Sequence, residues 1–203
     1  MHLHFFPAFS LPPSLPLPPP HSEFRLGEDM YAQDSIDLLR ASGIDFARHE
    51  AEGVDVLRFG ELLMTSGVVL NPDARWVTFA ASYDFGYLLK VLTCTPLPPT
   101  EAEFFDLLKL YFPSVYDIKY LMKFCGALHG GLSRLAEQLR VERIGPQHQA
   151  GSDSLLTASS FIKLTRTYFS GEEAGGGGGL EVHQGILYGL GSDGTADVRD
   201  ADG

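Results

Sequence analysis

Residues 144–169 read IGPQHQAGSDSLLTASSFIKLTRTYF, and no other stretch limits the fold so tightly. A loop punctuated by Gly145 and Pro146 carries His148. Asp153 follows five residues later, at the mouth of a long helical pattern. From there Leu155, Ala158, Ile162 and Phe169 recur at roughly helical spacing, with Lys163 and Arg166 between them, which predicts a helix with that apolar face inward. A carboxylate at a helix start is favoured by the helix dipole and can cap the first turn. Capping is the ordinary role of such a residue. A chemical role for Asp153 needs a second carboxylate from elsewhere in the chain.

Asp84 offers one. Residues 75–81, RWVTFAA, combine aromatic and β-branched residues in a short run and predict a buried strand. The strand runs into SYDFG, and a helix follows through Leu88, Leu89, Val91 and Leu92. Asp84 is thereby expected at the C-terminal end of a strand, opening a helix. In α/β sheets that edge is where ligands sit. Helix capping is again the plain alternative.

The other elements read as follows. Residues 31–40 predict a short helix with Asp34 as its cap and Gly43 as its stop. Residues 54–65 predict a second, with Val56, Phe59 and Leu63 on one face, Leu62 widening it and Gly67 ending it. Thr100 and Glu103 form the T-x-x-E of a capping box ahead of Phe104, Phe105, Leu108, Tyr111 and Phe112, and Pro113 stops that helix. Residues 114–118 predict a second short strand, and residues 121–127 and 132–139 two further helices. Strand–helix alternation indicates an α/β domain.

Composition narrows the partners. The 203 residues carry 26 acidic and 15 basic side chains, a net charge of −11. That argues against a broad electrostatic grip on nucleic acid. It leaves room for a narrow acidic site that binds metal first and phosphate through the metal. Cys94 and Cys125 make neither a zinc pattern nor a disulfide framework, which points to a reducing, intracellular compartment. The dense prolines between Pro7 and Pro20 forbid a spanning helix, and no Lys or Arg precedes Arg25, so no secretory signal is expected. Neither membrane nor DNA is expected as a partner. The domain plan is a Pro-rich disordered tail (1–23), an α/β domain (24–170), a Gly-rich linker (171–179), a segment that docks back (180–191) and a disordered tail (192–203).

Asp84, His148 and Asp153 share one chemistry. Carboxylates from different element ends can hold divalent metals, and the metals activate a water and stabilise the leaving oxygen of a phosphodiester. A nearby histidine can take the proton from that water. Two Asp and one His alone are weak evidence, but the wording around them is specific. The phrases MYAQDSIDLLRASGIDF, ELLMTSGVVL, YDFGYLLKVLT, EFFDLLKLYFPSVYDIKYLMKFC, ERIGPQHQAGSDSLLT and GILYGLG together resemble the Caf/Pop-type deadenylases, the exonuclease subunits of the CCR–NOT complex. The resemblance covers most of the chain.

It implies an RNase H-like fold of the DEDDh nuclease type, a mixed sheet flanked by helices. It implies 3′→5′ removal of poly(A) tails from mRNA with two Mg²⁺ or Mn²⁺ ions. Asp84 and Asp153 would be metal ligands and His148 the general base. Poly(A) RNA, the CCR–NOT scaffold and the second deadenylase subunit would be partners, in nucleus and cytoplasm. One motif departs from the family. Its D-x-E, on a central strand, is found nowhere in this sequence, so the first central strands are expected to be missing and the domain to be truncated at its N-terminus. Glu23, Glu28 and Asp29 lie nearest to the lost motif, in a loop-like stretch. Ala80, Ala81 and Ser82 stand where the family favours H-S-G, a change at the rim of the pocket. Asp117 and Lys119 read as structural, at the end of a strand. The alternatives to an enzyme are an inactive interaction module of the complex, or a fragment of marginal stability.

Overall fold

A computed structural model describes residue 26 and residues 31–170 and 179–191. The proline-rich stretch, Glu23, Glu28, Asp29, most of the Gly-rich stretch and the last residues lie outside these. In chain order the elements are α1 (Gln33–Ala41), α2 (Phe46–Glu52), α3 (Val56–Thr65), β1 (Arg75–Thr78), α4 (Ser82–Thr93), α5 (Glu101–Tyr111), β2 (Ser114–Asp117), α6 (Ile118–Leu121), α7 (Leu132–Leu139) and α8 (Ala150–Tyr168). Short 3₁₀ turns occupy Met122–Phe124 and Leu180–His183. They form two compact units. One holds Pro72–Ser82 and the chain from Phe112 onward; the other holds residues up to Asn71 together with Tyr83–Tyr111.

The first unit is built on β1 and β2, which pair in parallel with Arg75 opposite Ser114 and Thr78 opposite Asp117. All four residues of β2 are buried, as befits a parallel strand covered on both faces. Val77, Tyr116, Ile118, Leu121, Leu135, Leu139, Phe161 and Leu164 make its core, and the rings of Tyr116 and Phe161 tilt together at 5.6 Å. Trp76 meets Phe112 edge-on at 4.8 Å. β1 is shorter than its apolar run. Ala80 turns into the left-handed region at φ 54° and gives its N–H to the Asp117 carboxylate at 2.9 Å, so the ladder ends at Thr78.

Asp117 is fully buried, and its carboxylate also receives the N–H groups of Lys119 (3.0 Å) and Tyr188 (3.2 Å). The segment after residue 179 runs along β2. Gly185 donates its N–H to Val115 O at 2.8 Å. The Gln184 amide donates to Pro113 O and accepts from the Tyr116 hydroxyl, and Leu187 is buried.

The second unit is helical. Ile36, Leu39 and Phe46 form one small core with Leu26 and Ile44 against it. Phe85, Leu88 and Leu89 are the buried face of α4, and Phe104 and Leu108 that of α5. The capping box of α5 forms as its sequence requires: the Thr100 hydroxyl donates to Glu103 Oε2 at 2.7 Å and accepts the Glu103 N–H at 3.4 Å. α1 departs from expectation. Its cap is Ala32, without a side-chain bond, and Asp34 lies inside the first turn. α2 was not foreseen; Asp45 caps it by accepting the Arg48 N–H. On α3 Leu62 is exposed. The inward position is Gly60, where an added Cβ would come within 3.1 Å of Val91 O. Residues 121–127 were expected to be one helix, but α6 ends at Leu121 and a 3₁₀ turn finishes the run.

Candidate active site

The site region starts where α7 stops. Arg140 takes the left-handed conformation at φ 56° and closes that helix, and residues 141–144 run on without helix or strand. Gly145 has φ 90°, and a Cβ there would touch the Ser152 side chain at 3.2 Å. Only glycine lets the backbone lie that close to the first turn of α8. A turn at Gln147 and His148 then leads into the helix at Ala150, with Gln149 as a cap that makes no side-chain bond. His148 is exposed and held at φ 59°.

Asp153 is not the cap. It sits in the first turn of α8 and is buried, its residue 4% exposed. The inward face of the helix is Asp153, Leu156, Thr157, Ser160, Phe161 and Leu164. Leu155 and Ile162, expected inside, are about half exposed. The apolar repeat misled by one position because the true inner face is polar in its first half. Thr157 can be buried there because its hydroxyl donates back to Asp153 O at 2.8 Å.

A buried carboxylate needs a counter-charge. Arg143 supplies it. Its Nη1 donates to Asp153 Oδ1 and to Ser152 Oγ (3.1 Å), and its Nη2 donates to Ser133 Oγ (3.2 Å) on α7. Sequence reading did not single out Arg143. The available signal was a lone arginine ahead of a Gly-Pro turn that returns to an acidic helix start.

Asp84 lies in the first turn of α4, partly buried, next to the fully exposed Tyr83 ring. It follows β1 as expected, and it belongs to the second unit, whereas His148 and Asp153 belong to the first. Among the described residues no group of three or more His, Cys, Asp or Glu side chains is placed to hold a metal ion. With Asp153 Oδ1 given to Arg143, the residues as arranged do not fit a two-metal centre. Cys94 is exposed and Cys125 buried; neither is in a disulfide, and burial pushes the Cys125 thiol up to about 11.

Comparison with known proteins settles the lineage of this segment. Residues 73–161, which hold Asp84, His148 and Asp153, match the CAF1 family ribonucleases. Residues 73–161 are CAF1 ribonuclease domain sequence. Among related proteins, the chain is 59% identical over 174 residues to the probable CCR4-associated factor 1 homolog 10 of Arabidopsis thaliana, covering 85% of this chain and 60% of that protein. It is 48% identical over 172 residues to the poly(A) ribonuclease pop2 of Schizosaccharomyces pombe, covering 85% and 50%. The chain thus spans about half to three fifths of the length of these relatives.

In three dimensions the chain resembles S. pombe Pop2p in its Mg²⁺- and Mn²⁺-bound form, with a TM-score of 0.73 at 47% identity over 82% of this chain and 64% of that one. It also resembles the yeast NOT1 MIF4G domain structure co-crystallized with CAF1 (TM-score 0.66, 28% identity, 82% and 64% covered). The CAF1 segment therefore has the α/β, RNase H-like fold that its motifs implied, with helices beside a small parallel sheet. The described residues contribute two parallel strands to that sheet.

Proposed function

We propose that this chain is part of a poly(A)-specific 3′→5′ exoribonuclease that shortens mRNA tails. The observation that carries the reading is the 48% identity to a poly(A) ribonuclease, over an alignment that takes in most of this chain. The reaction would be hydrolysis of the terminal phosphodiester. His148, exposed on a tight turn, has room to approach a water and take its proton. Asp84 and Asp153 would be the acidic residues of the site. Use of Mg²⁺ or Mn²⁺ goes with this reading, supported by the metal-bound form of the similar Pop2p structure. Work in both nucleus and cytoplasm goes with it as well.

The test is a trimming assay on a short RNA ending in adenosines. The chain is run with and without Mn²⁺, beside the same chain extended by an upstream strand bearing D-x-E. Trimming in the extended chain that falls about a hundredfold or more in Asp153→Asn and His148→Ala supports the reading, since each group would act in the transition state. Trimming that survives both substitutions overturns the residue roles.

A second reading is favoured by the neutralised Asp153 and by the lack of D-x-E in the sequence. In it the chain as given binds the CCR–NOT scaffold, and with it the second deadenylase subunit, without cutting RNA. The likeness to CAF1 co-crystallized with the NOT1 MIF4G domain supports it. Binding of a purified MIF4G domain by a chain that trims nothing is the expected result. No binding at micromolar concentrations rejects it.

A further inference from the structure

Asp153 and Arg143 form an ion pair whose two halves differ in burial. The Asp153 side chain is 6% exposed and that of Arg143 18%. The carboxylate is fixed in the first turn of a long helix. The guanidinium hangs from a stretch without regular structure, and its other partners, Ser133 and Ser152, are neutral hydroxyls. Of the two, the arginine is the half that can leave. Its departure needs only side-chain rotation, because Gly145 keeps the following backbone seated against Ser152. What would remain is a buried carboxylate whose lost counter-charge must be replaced. A divalent cation suits this, since it carries twice the charge and takes oxygen ligands.

We propose that Arg143 is an internal counter-ion of Asp153 that a divalent cation displaces, so that cation and guanidinium compete for one carboxylate. Arg143 is then a positioning residue, setting the affinity of the site for its cation. The idea rests on the reading of Asp153 as a metal ligand under the proposed function.

The experiment uses the full chain and Mn²⁺ alone, following loss of the free-ion paramagnetic resonance signal. Arg143→Gln is expected to lower the apparent Kd for Mn²⁺ by about tenfold, the scale of one charge-assisted hydrogen bond removed from competition. The Arg143→Gln, Asp153→Asn double variant is expected to lose that gain. An apparent Kd that is unchanged or higher in a folded Arg143→Gln chain overturns the proposal, and so does a chain that binds no Mn²⁺ in either form.

Arg143 also ties α7 to α8, so a second measurement avoids substitution altogether. In the native chain the Arg143 guanidinium proton resonances are followed as Mg²⁺ is added. Movement to the position of a solvated arginine is expected; no movement up to the solubility limit of the salt overturns the idea. Neither readout involves RNA. Competition as described in a chain that trims no poly(A), even when extended, would reject the exonuclease reading and leave this one standing.

Discussion

His183 shows how one side chain makes stability depend on pH. It is buried, with its ring 4.3 Å from that of Phe124 and 5.8 and 5.6 Å from those of Tyr120 and Phe169. Its Nε2 has no hydrogen-bond partner among the described residues. Burial holds its pKa below the ordinary histidine value. The unfolded chain then takes up the proton more readily than the folded one. Stability is complete above the ordinary histidine pKa, about 6.5, and is lost as pH falls through that value towards the lower folded one. Urea midpoints measured between about pH 7.5 and about pH 5.5 should fall on acidification, and His183→Phe, which keeps the aromatic contacts, should flatten the fall. An unchanged slope would remove His183 as the cause. Asp117 has the opposite sign: burial raises its carboxyl pKa despite four backbone N–H bonds that lower it. Its own contribution therefore weakens as pH rises from the unfolded value towards the folded one.

Single elements show which parts of the fold could be read in the sequence. α3 is capped by Asp55, whose carboxylate takes the N–H groups of both Leu57 and Arg58 at 3.0 Å. Asp55→Ala should cost about 1 kcal/mol, read as a lower thermal or urea midpoint with unchanged helix content at low temperature. A cost near zero would mean that water serves the two groups equally well. Capping of this kind is local chemistry, and the box at Thr100 and Glu103 was legible for that reason. α7 was legible too, because its buried Leu135, Ala136 and Leu139 follow the helical repeat in a short, strongly two-faced segment. α8 was legible as a helix but not in its orientation. Its inner face carries Asp153, Thr157 and Ser160, which hydropathy assigns to solvent. A site residue buried with its own counter-ion breaks the apolar pattern that makes helix faces readable. The same break hid Arg143, whose role depends on a loop closure that no local pattern encodes. Asp84 and His148 were found through their motifs, and their placement followed from a strand–helix junction and a Gly-Pro turn.

At the scale of the whole chain, a pair of parallel strands is a small base for a domain. A parallel strand is stable only when both faces are covered and its polar backbone is partnered. β2 meets these conditions with help from residues far along the chain. Gly185 bonds to Val115 O, Gln184 bonds to Pro113 O and to the Tyr116 hydroxyl, and Tyr188 donates its N–H to Asp117. Leu187 is 1% exposed. The segment therefore partners the backbone of β2 and one oxygen of a carboxylate that also terminates β1. Two variants separate these contributions. Leu187→Ala should cost about 2–5 kcal/mol, the range for a fully buried leucine, without altering the denaturant slope. Gln184→Ala leaves Pro113 O and the Tyr116 hydroxyl to find water, and should cost about 1–3 kcal/mol. Contacts sharing one strand couple, so the double variant should depart from the sum of the two. Simple additivity, or a cost below about 0.5 kcal/mol for Leu187→Ala, would show that β2 is held by its helices alone. In that case the GILYGLG segment would owe its place in the chain to something other than the stability of the sheet.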